Sequence, residues 1–490
     1  MPKLEDRVNC YVDNTLSGYE PRPSKDPKII HDSILGSNVF LPHEVIVLDM
    51  PIVQRLRRIS QVDMVPLVFP SGNHNRFEHT LGVTTISGRL VNALYERKDF
   101  AHWAEKKGIS RIYALNHVRL AALLHDCGHG PFSHMSEDCL LEFDDFFELK
   151  DSDPKFNSVK EHEIMSYLIV RSPAMKGFFN KFIEEYAETP IDLDFVADII
   201  VGNTIPHYEK AFLVDVVNGA FDADKLDYIQ RDSHFTGIKM VLDIDRLFHT
   251  INAREIKGKQ RLTIDMSGVS TLEQIVFSKM MLLCTVYQHH KVRAAECILR
   301  SIFQSLFQLP NATKSATAML ELTDTHIYSL AENEDPVIAS LARAITNRQL
   351  PKRAFVMSNR IITKGGKTLI DLSEFKQKQK GFVDAIAELS GVSSDNIWFD
   401  IKKEPKFSEA SRCPIMYTRH GSDWVEMSKV FPIDAWIKTF SENKWKAYVF
   451  TWPKYRPQVF EATCHLLRKM GVEFDESAAK RECKMEVSAT

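Results

Sequence analysis

The sequence predicts a mainly α protein: a helical core followed by a smaller α+β lobe. Three observations carry this. Apolar residues recur at helical spacing from about residue 43 to 305. One stretch within that region, Val118–Leu124, is apolar nearly all round. After about residue 350, short β-rich runs alternate with amphipathic helical segments.

Taken in order, residues 1–42 form an N-terminal segment ahead of the periodic pattern. Residues 43–310 are the helical core. Within it Val83, Ile86, Leu90 and Leu94 fall at spacings of three and four, one stripe on a helix. The helix through Val118–Leu124 halts at Gly128, Gly130 and Pro131, where turn residues end it. Leu272–Cys284 and Ala294–Phe307 read as later helices. Residues 311–473 form the α+β lobe. Its strands are expected at Arg353–Met357, Lys367–Leu372, Asn396–Ile401, Pro414–Thr418 and Lys446–Trp452. Helices are expected at Gly381–Leu389 and Ile433–Phe440. Residues 474–490 are charged and poor in apolar side chains, so they read as a solvated tail.

Length and composition bound the function. A chain of 490 residues is too long for one typical compact domain. Its 44 % hydrophobic and 26 % charged residues are ordinary for a globular protein. A formal charge of −3 gives no global pull toward nucleic acid or anionic membrane, so a polyanion site must be a local basic cluster. The eight cysteines include no Cys-x-x-Cys pair, which fits a reducing compartment better than a disulfide framework. The N-terminal MPKLEDRVNC has no apolar core, and no apolar run approaches the roughly 20 residues of a membrane span. The expectation is a cytoplasmic protein with no membrane partner.

Four segments carry the chemistry: NRFEHTLG (Asn75–Gly82), LLHDCGHGPFSH (Leu123–His134), KEHE (Lys160–Glu163) and DADKLDYIQRD (Asp222–Asp232). His125 and Asp126 stand together at the end of a buried helix, where an ionisable pair is unfavourable unless compensated. A bound cation compensates it, because imidazole and carboxylate both ligate divalent metals. His79 adds a second imidazole and Asp224 a second carboxylate. Two His and two Asp leave positions open for water and a phosphate oxygen, as metal-assisted hydrolysis requires. They suit Fe, Mn, Zn, Co or Mg, so the metal is not named. A lone His-Asp dipeptide would prove nothing; here His129 and His134 follow in a Gly/Pro-punctuated turn.

Groups suited to a phosphate ester lie nearby. Arg76 precedes His79 by three residues and would share its helical face. Lys225 follows Asp224 directly. His129, His134 and His162 are candidates for proton transfer, the plainer role being a hydrogen bond in a turn.

These segments resemble the HD superfamily, and more narrowly the deoxynucleoside triphosphate triphosphohydrolases of the sterile-alpha-motif/HD type, without the sterile-alpha-motif domain. The resemblance runs from about Lys28 to Val292 through VQRLRRISQ, VFPSGNHNRFEHTLG, HDCGHGPFSHM, DADKLDYIQRD and YQHHKV, in family order. It implies a helical HD phosphohydrolase core with His79, His125, Asp126 and Asp224 as metal ligands. It implies cleavage at the α-phosphate, releasing a deoxynucleoside and inorganic triphosphate. Arg76, Lys225 and Lys279 would grip the phosphates, Lys279 standing where relatives usually carry Arg and so lacking the bidentate fork. His134 would be the acid, with Glu137 behind it where relatives have Asp, and His129 and His162 would line the pocket. Gln61, Val62, Tyr228, Asp232, Tyr287 and Gln288 occupy the sugar-reading positions.

The resemblance also implies activation by a guanine nucleotide and a deoxynucleotide, GTP and a dNTP, at interfaces of a homo-oligomer, dimer or tetramer. Asp49, Gln54, Arg57, Lys28 and Arg246 match effector positions. His31 stands where relatives carry Asn, and Asp265 where a phosphate-binding Arg is expected. The plainer reading of Arg55, Arg57 and Arg58 is a solvated helix face.

Two other readings compete. One keeps the chemistry but changes the substrate: a nuclease, or a phosphodiesterase acting on a signalling nucleotide. The other is a non-catalytic nucleotide-sensing scaffold, against which stands the presence of all four ligand residues. No long basic or aromatic-rich tract supports a nucleic-acid partner.

Overall fold

The computed structural model describes residues 2–22, 25–309, 315–333, 335–366, 372, 376–401, 408–418 and 423–485. They divide into two compact units. The first comprises 1–282, 303–333 and 409–431, and the second 283–302, 334–408 and 432–490.

The first unit is the helical core. Asn75 starts the long helix Arg76–Tyr95 by accepting the Glu78 amide at 3.1 Å, an N-cap of the kind that stabilises by about 1 kcal/mol. Val83, Ile86, Leu90 and Leu94 lie on its buried stripe, as their spacing predicts. It packs against Arg111–Leu124 and Ala223–Thr236. Leu193–Ile200 joins Arg111–Leu124 to Glu161–Arg171. Val118 and Leu120–Leu124 are all buried, which is why that stretch shows no polar face.

Residues 1–42 are not a separate segment. Leu4–Leu16 is a helix whose Leu4, Val8 and Val12 are buried against the helix Pro173–Phe182 of the core. Lys28–Asp32 and Gly36–Phe40 pair as an antiparallel hairpin. Nor is the core wholly helical. Ile251–Ile256 and Lys259–Asp265 form a second hairpin, turning at Lys257 and Gly258, both at positive φ. The Lys-Gly pair between two β-rich runs was the signal for it. Pro414–Met416 adds parallel to Lys259–Asp265, and Trp424–Glu426 extends the same sheet. The strand expected at Pro414–Thr418 therefore belongs to the core, and the expected boundary at 310/311 does not separate the units.

The second unit holds a three-stranded antiparallel sheet in the order Lys352–Ser358, Lys446–Thr451, Ile397–Ile401. The helices Lys376–Ser390 and Arg456–Lys469 pack on it. Of the expected strand Lys367–Leu372, all but Leu372 lies outside the described residues. The expected solvated tail is instead partly structured: Glu476–Cys483 is a helix against Lys352–Ser358, with Cys483 only 3 % exposed. Few apolar side chains sufficed because Ala479 and Cys483 share one buried face.

One helical run, Met266–Tyr287, is long and apolar enough by length and composition to cross a membrane, contrary to the sequence expectation. Half of its apolar window is buried, Val269, Leu272 and Val276 among it, as in a core helix. All eight cysteines are free.

Candidate metal centre

Asp126 is the hub. It is 1 % exposed and sits just past the end of Arg111–Leu124. Its Oδ1 lies 3.3 Å from His125 Nε2, 3.4 Å from His129 Nε2 and 3.8 Å from His162 Nε2. Its Oδ2 lies 2.8 Å from Arg76 Nη1 and 3.8 Å from His79 Nε2. Burial pushes this carboxyl up, but Arg76 and the imidazoles outweigh it and hold it well below the usual carboxylate range.

His79, His125 and Asp126 each place a ligand atom within 4.8 Å of the others. Asp224 joins through His79, its Oδ1 3.0 Å from Nε2. The protonation pattern fits a cation. His125 Nδ1 is 2.8 Å from the Ala122 carbonyl, which can only accept, so a neutral His125 carries its proton there. Its Nε2 is then a lone pair, buried and with no hydrogen-bond partner, facing a carboxylate. His79 is likewise held at Nδ1, by Asp227 Oδ2 at 2.7 Å, but its Nε2 meets Asp224 Oδ1 at 3.0 Å and lies 3.8 Å from Asp126 Oδ2. Burial opposes charge on His79, yet Asp224 and Asp227 raise its pKa to about 9. Positive charge is therefore favoured where Nε2 meets Asp224 and Asp126.

A second cluster adjoins the first. His129, His134, Glu137 and His162 also place their ligand atoms within 4.8 Å of one another. Glu137 Oε1 bonds His162 Nδ1 and lies 3.2 Å from His134 Nδ1. Burial would raise Glu137, but His134 and His162 hold it well below its ordinary value. His129 stacks on His162 with centroids 3.7 Å apart. Burial, then Arg76 and His162, keeps His129 neutral. The His134 side chain is 53 % exposed, the outward-facing imidazole of the four residues.

The loop holding these groups is tightly anchored. A Cβ on Gly128 would lie 2.3 Å from the His162 carbonyl oxygen, so only glycine permits this approach to Glu161–Arg171. Phe132 and Ser133 both take positive φ, strain held by bonds from the Phe132 amide to Asp324 and from Ser133 Oγ to the Ser60 carbonyl.

Two of the phosphate candidates are already engaged. Arg76 is buried and donates to Asp126 and to Ser133 Oγ at 2.8 Å each. Lys225 Nζ lies 2.5 Å from Asp222 and 2.8 Å from the Gly219 carbonyl. Lys279 is half-buried, and burial followed by repulsion from Lys225 and Lys160 lowers its pKa to about 8. Lys160, which sequence reasoning quoted within KEHE but did not select, thus joins Lys225 and Lys279 in one cationic cluster, and its charge acts on Asp224 too.

Gln61 and Val62 are buried, and Asp232 Oδ1 bonds His74 Nε2 at 2.8 Å. The Gln61 amide donates to the His74 carbonyl, so His74, also passed over in the sequence, links two of the sugar-reading positions. Burial holds the Tyr228 phenol well above its ordinary pKa. Tyr287 and Gln288 lie in the second unit, at and just after the π-helical turn Leu283–Tyr287. Gln54 accepts from Arg57 at 2.8 Å, and the Arg57 guanidinium lies 3.7 Å over Phe77. Asp49 and Lys28 are exposed, and Arg246 donates to the Ser267 carbonyl at 3.2 Å. Asp265 is buried 3.5 Å from Arg97. Of the three arginines read as a solvated face, Arg57 and Arg58 are exposed but Arg55 is buried.

Comparison with known proteins gives a consistent result. The HD domain model matches residues 76–174, and the HD associated region matches 242–476. The deoxynucleoside triphosphate triphosphohydrolase SAMHD1 of Danio rerio is 27 % identical over 359 residues, covering 67 % of this chain and 55 % of the relative. Its Homo sapiens counterpart is 28 % identical over 339 residues, 63 % and 51 % of the two chains. The uncharacterized protein YwfO of Bacillus subtilis is 29 % identical over 324 residues, 61 % and 64 %. The chain spans about half the length of the SAMHD1 proteins it matches. The HD domain match thus falls on the segment that carries His79, His125 and Asp126, with the HD associated region downstream.

Proposed function

We propose that this chain hydrolyses deoxynucleoside triphosphates to a deoxynucleoside and inorganic triphosphate. The observation that carries the reading is the meeting of His79, His125 and Asp126 within 4.8 Å, with Asp224 Oδ1 3.0 Å from His79 Nε2, and the charges of Lys160, Lys225 and Lys279 act on one another beside it. A polyphosphate would relieve the repulsion among the lysines. Similarity to SAMHD1 proteins of that printed activity adds support.

In this reading His79, His125, Asp126 and Asp224 hold a divalent cation, which supplies Lewis acidity and activates water near neutral pH. Arg76 orients Asp126, and Lys225 and Lys279 steady the phosphate chain. Water attacks the α-phosphorus and releases a proton to solvent, the bond to the 5′ oxygen breaks, and His134 gives that oxygen a proton and is reprotonated from solvent. Glu137 holds His134 through Nδ1, and Nε2, 3.5 Å from Arg76 Nη2, is the nitrogen left to exchange a proton with substrate. His129 and His162 wall the pocket. Gln61, Val62, Tyr228 and Asp232 read the sugar. Asp49, Gln54, Arg57, Lys28 and Arg246 would serve GTP or dNTP activation in a homo-oligomer.

The test is the product spectrum of wild type and Asp126→Ala with the four deoxynucleoside triphosphates and Mn²⁺, with and without GTP. Triphosphate from wild type alone supports the reading. Silence toward every deoxynucleotide, with turnover of an oligonucleotide or cyclic nucleotide, would replace it with a nuclease or phosphodiesterase. The engagement of Arg76 by Asp126 and Lys225 by Asp222 is the observation favouring that second reading.

A further inference from the structure

We infer that Arg231 and Asp32 are positioning residues for His79, and that through them the hairpin Lys28–Asp32/Gly36–Phe40 sets the metal affinity of the centre. The inference rests on reading His79 as a metal ligand.

Four buried side chains run in line. Asp32 Oδ2 pairs with Arg231 Nη1 at 2.9 Å. Arg231 Nε and Nη2 grip both oxygens of Asp227 at 2.8 Å each. Asp227 Oδ2 takes the Nδ1 of His79 at 2.7 Å. Arg231 and His79 are 0 % exposed, so bulk water cannot replace a lost partner. A carboxylate gripped at both oxygens by a planar guanidinium has no rotational freedom. Asp227 must then present Oδ2 to Nδ1, which turns Nε2 of His79 toward Asp224 and Asp126. Without Asp32, the Nη1 end of Arg231, which makes no hydrogen bond, would also lose the carboxylate 2.9 Å from it in a dry interior, leaving Asp227 as the anion gripping it.

The outer end of the chain is a turn. Asp32 Oδ1 accepts the amides of Ile34 and Leu35 at 2.8 Å each, so the carboxylate that balances Arg231 also fixes the hairpin bend. Arg119 holds the opposite strand by donating to the Val39 carbonyl at 3.0 Å. A shift of this turn moves Oδ2 away from Arg231 and loosens the imidazole at the far end.

Mn²⁺ alone, titrated calorimetrically, tests this without turnover. Asp32→Asn keeps an oxygen for the two turn amides but sets an amide group against Arg231. It is expected to weaken Mn²⁺ binding about tenfold, and Arg231→Gln by tenfold to about a hundredfold, the range seen when groups behind metal ligands are removed. Arg231→Lys should recover part of the loss. Asp215→Asn is the control: it breaks the pair between buried Asp215 and half-buried Arg261 elsewhere in the same unit and should lower thermal stability with Mn²⁺ affinity within about twofold of wild type. If Asp32→Asn and both Arg231 variants bind Mn²⁺ as wild type does while unfolding earlier, the chain is only structural and the inference falls. If wild type binds no Mn²⁺, or Asp126→Ala binds it equally well, the metal reading falls and takes the inference with it.

Discussion

Gly82 and Asp227 meet so closely that a Cβ on the glycine would lie 1.8 Å from Asp227 Oδ1, and 2.4 Å from Arg231 Nη2. The helix Arg76–Tyr95 therefore carries glycine one turn after His79 because the carboxylate supporting that histidine passes through the space a side chain would fill. Neither neighbour can give way, since Asp227 is held at both oxygens. Gly82→Ala should destabilise the protein by about 1–3 kcal/mol, the range for overpacking a dense interior, and weaken Mn²⁺ binding as well. Denaturant unfolding and Mn²⁺ titration measure the two effects. A variant with wild-type stability would show that the pair yields more easily than this geometry implies.

Metal removal tests the centre itself. A ligand that binds only the folded state stabilises it by about 2.7 kcal/mol at a hundredfold its dissociation constant. Mn²⁺ at that excess should raise the unfolding midpoint of the wild type, and a chelator should reverse it. Asp126→Asn should show no such rise, although the change also leaves the buried guanidinium of Arg76 without its anion. Comparing each protein with and without Mn²⁺ separates the two effects. Equal shifts in both proteins would move the metal away from Asp126.

How much of this was legible follows from how locally each feature is encoded. His79, His125, Asp126 and Asp224 could be selected because three short motifs display them; the structure brings ligand atoms of the first three within 4.8 Å of one another and places Asp224 Oδ1 3.0 Å from His79 Nε2. The helix ending before His125 was legible from its apolar run and the glycines beyond it. Asp227 and Arg231 lie inside the quoted segment Asp222–Asp232 yet were not selected, because an Asp and an Arg four apart look like an ordinary exposed helix pair, and Asp32 lies far away in the chain with no motif around it. Lys160 lay inside a quoted segment but gained meaning only beside Lys225 and Lys279. The hairpin Ile251–Ile256/Lys259–Asp265 was overlooked although Lys257-Gly258 marked its turn, because helical segments flank it on both sides. The split of 283–302 and 409–431 between units exchanges distant stretches of chain, which no linear boundary can express.

Lys279 gives a pH dependence. Its pKa falls from 10.5 to about 8, first by burial and then by Lys225 and Lys160. Between those values the unfolded chain holds a proton that the folded protein has released. Stability contributed by this group therefore rises with pH across about 8 to 10.5, and below about pH 8 its charge opposes folding. Lys279→Met should be more stable than wild type at pH 7, with the difference shrinking toward pH 10. Tripolyphosphate binding should change in the opposite sense, weakening in the wild type as pH passes about 8. Unfolding and binding curves at pH 7 and 9.5 would check both, and parallel pH profiles for the two proteins would exclude Lys279 as the source.

Arg55 and Arg58 stand three apart in one short helical segment, yet substitution should separate them sharply. Arg55 is 5 % exposed, and its guanidinium donates to the carbonyls of Leu322, Cys127 and His129. Two of those carbonyls belong to the loop that follows the His125–Asp126 pair. Truncation would strand the two buried acceptors on Cys127 and His129 and the part-buried one on Leu322, at about 1–3 kcal/mol for each that finds no water. Arg58 is exposed, and its loss should fall within about 0.5 kcal/mol of wild type. Arg55→Ala should thus lower stability by several kcal/mol and also disturb Mn²⁺ binding, because the loop that carries His129 loses its anchor. Arg55→Lys should recover little, since one ammonium cannot span three carbonyls arranged for a planar fork. Equal stability of the Arg55→Ala and Arg58→Ala proteins in denaturant titrations would mean that the buried guanidinium does not hold the loop.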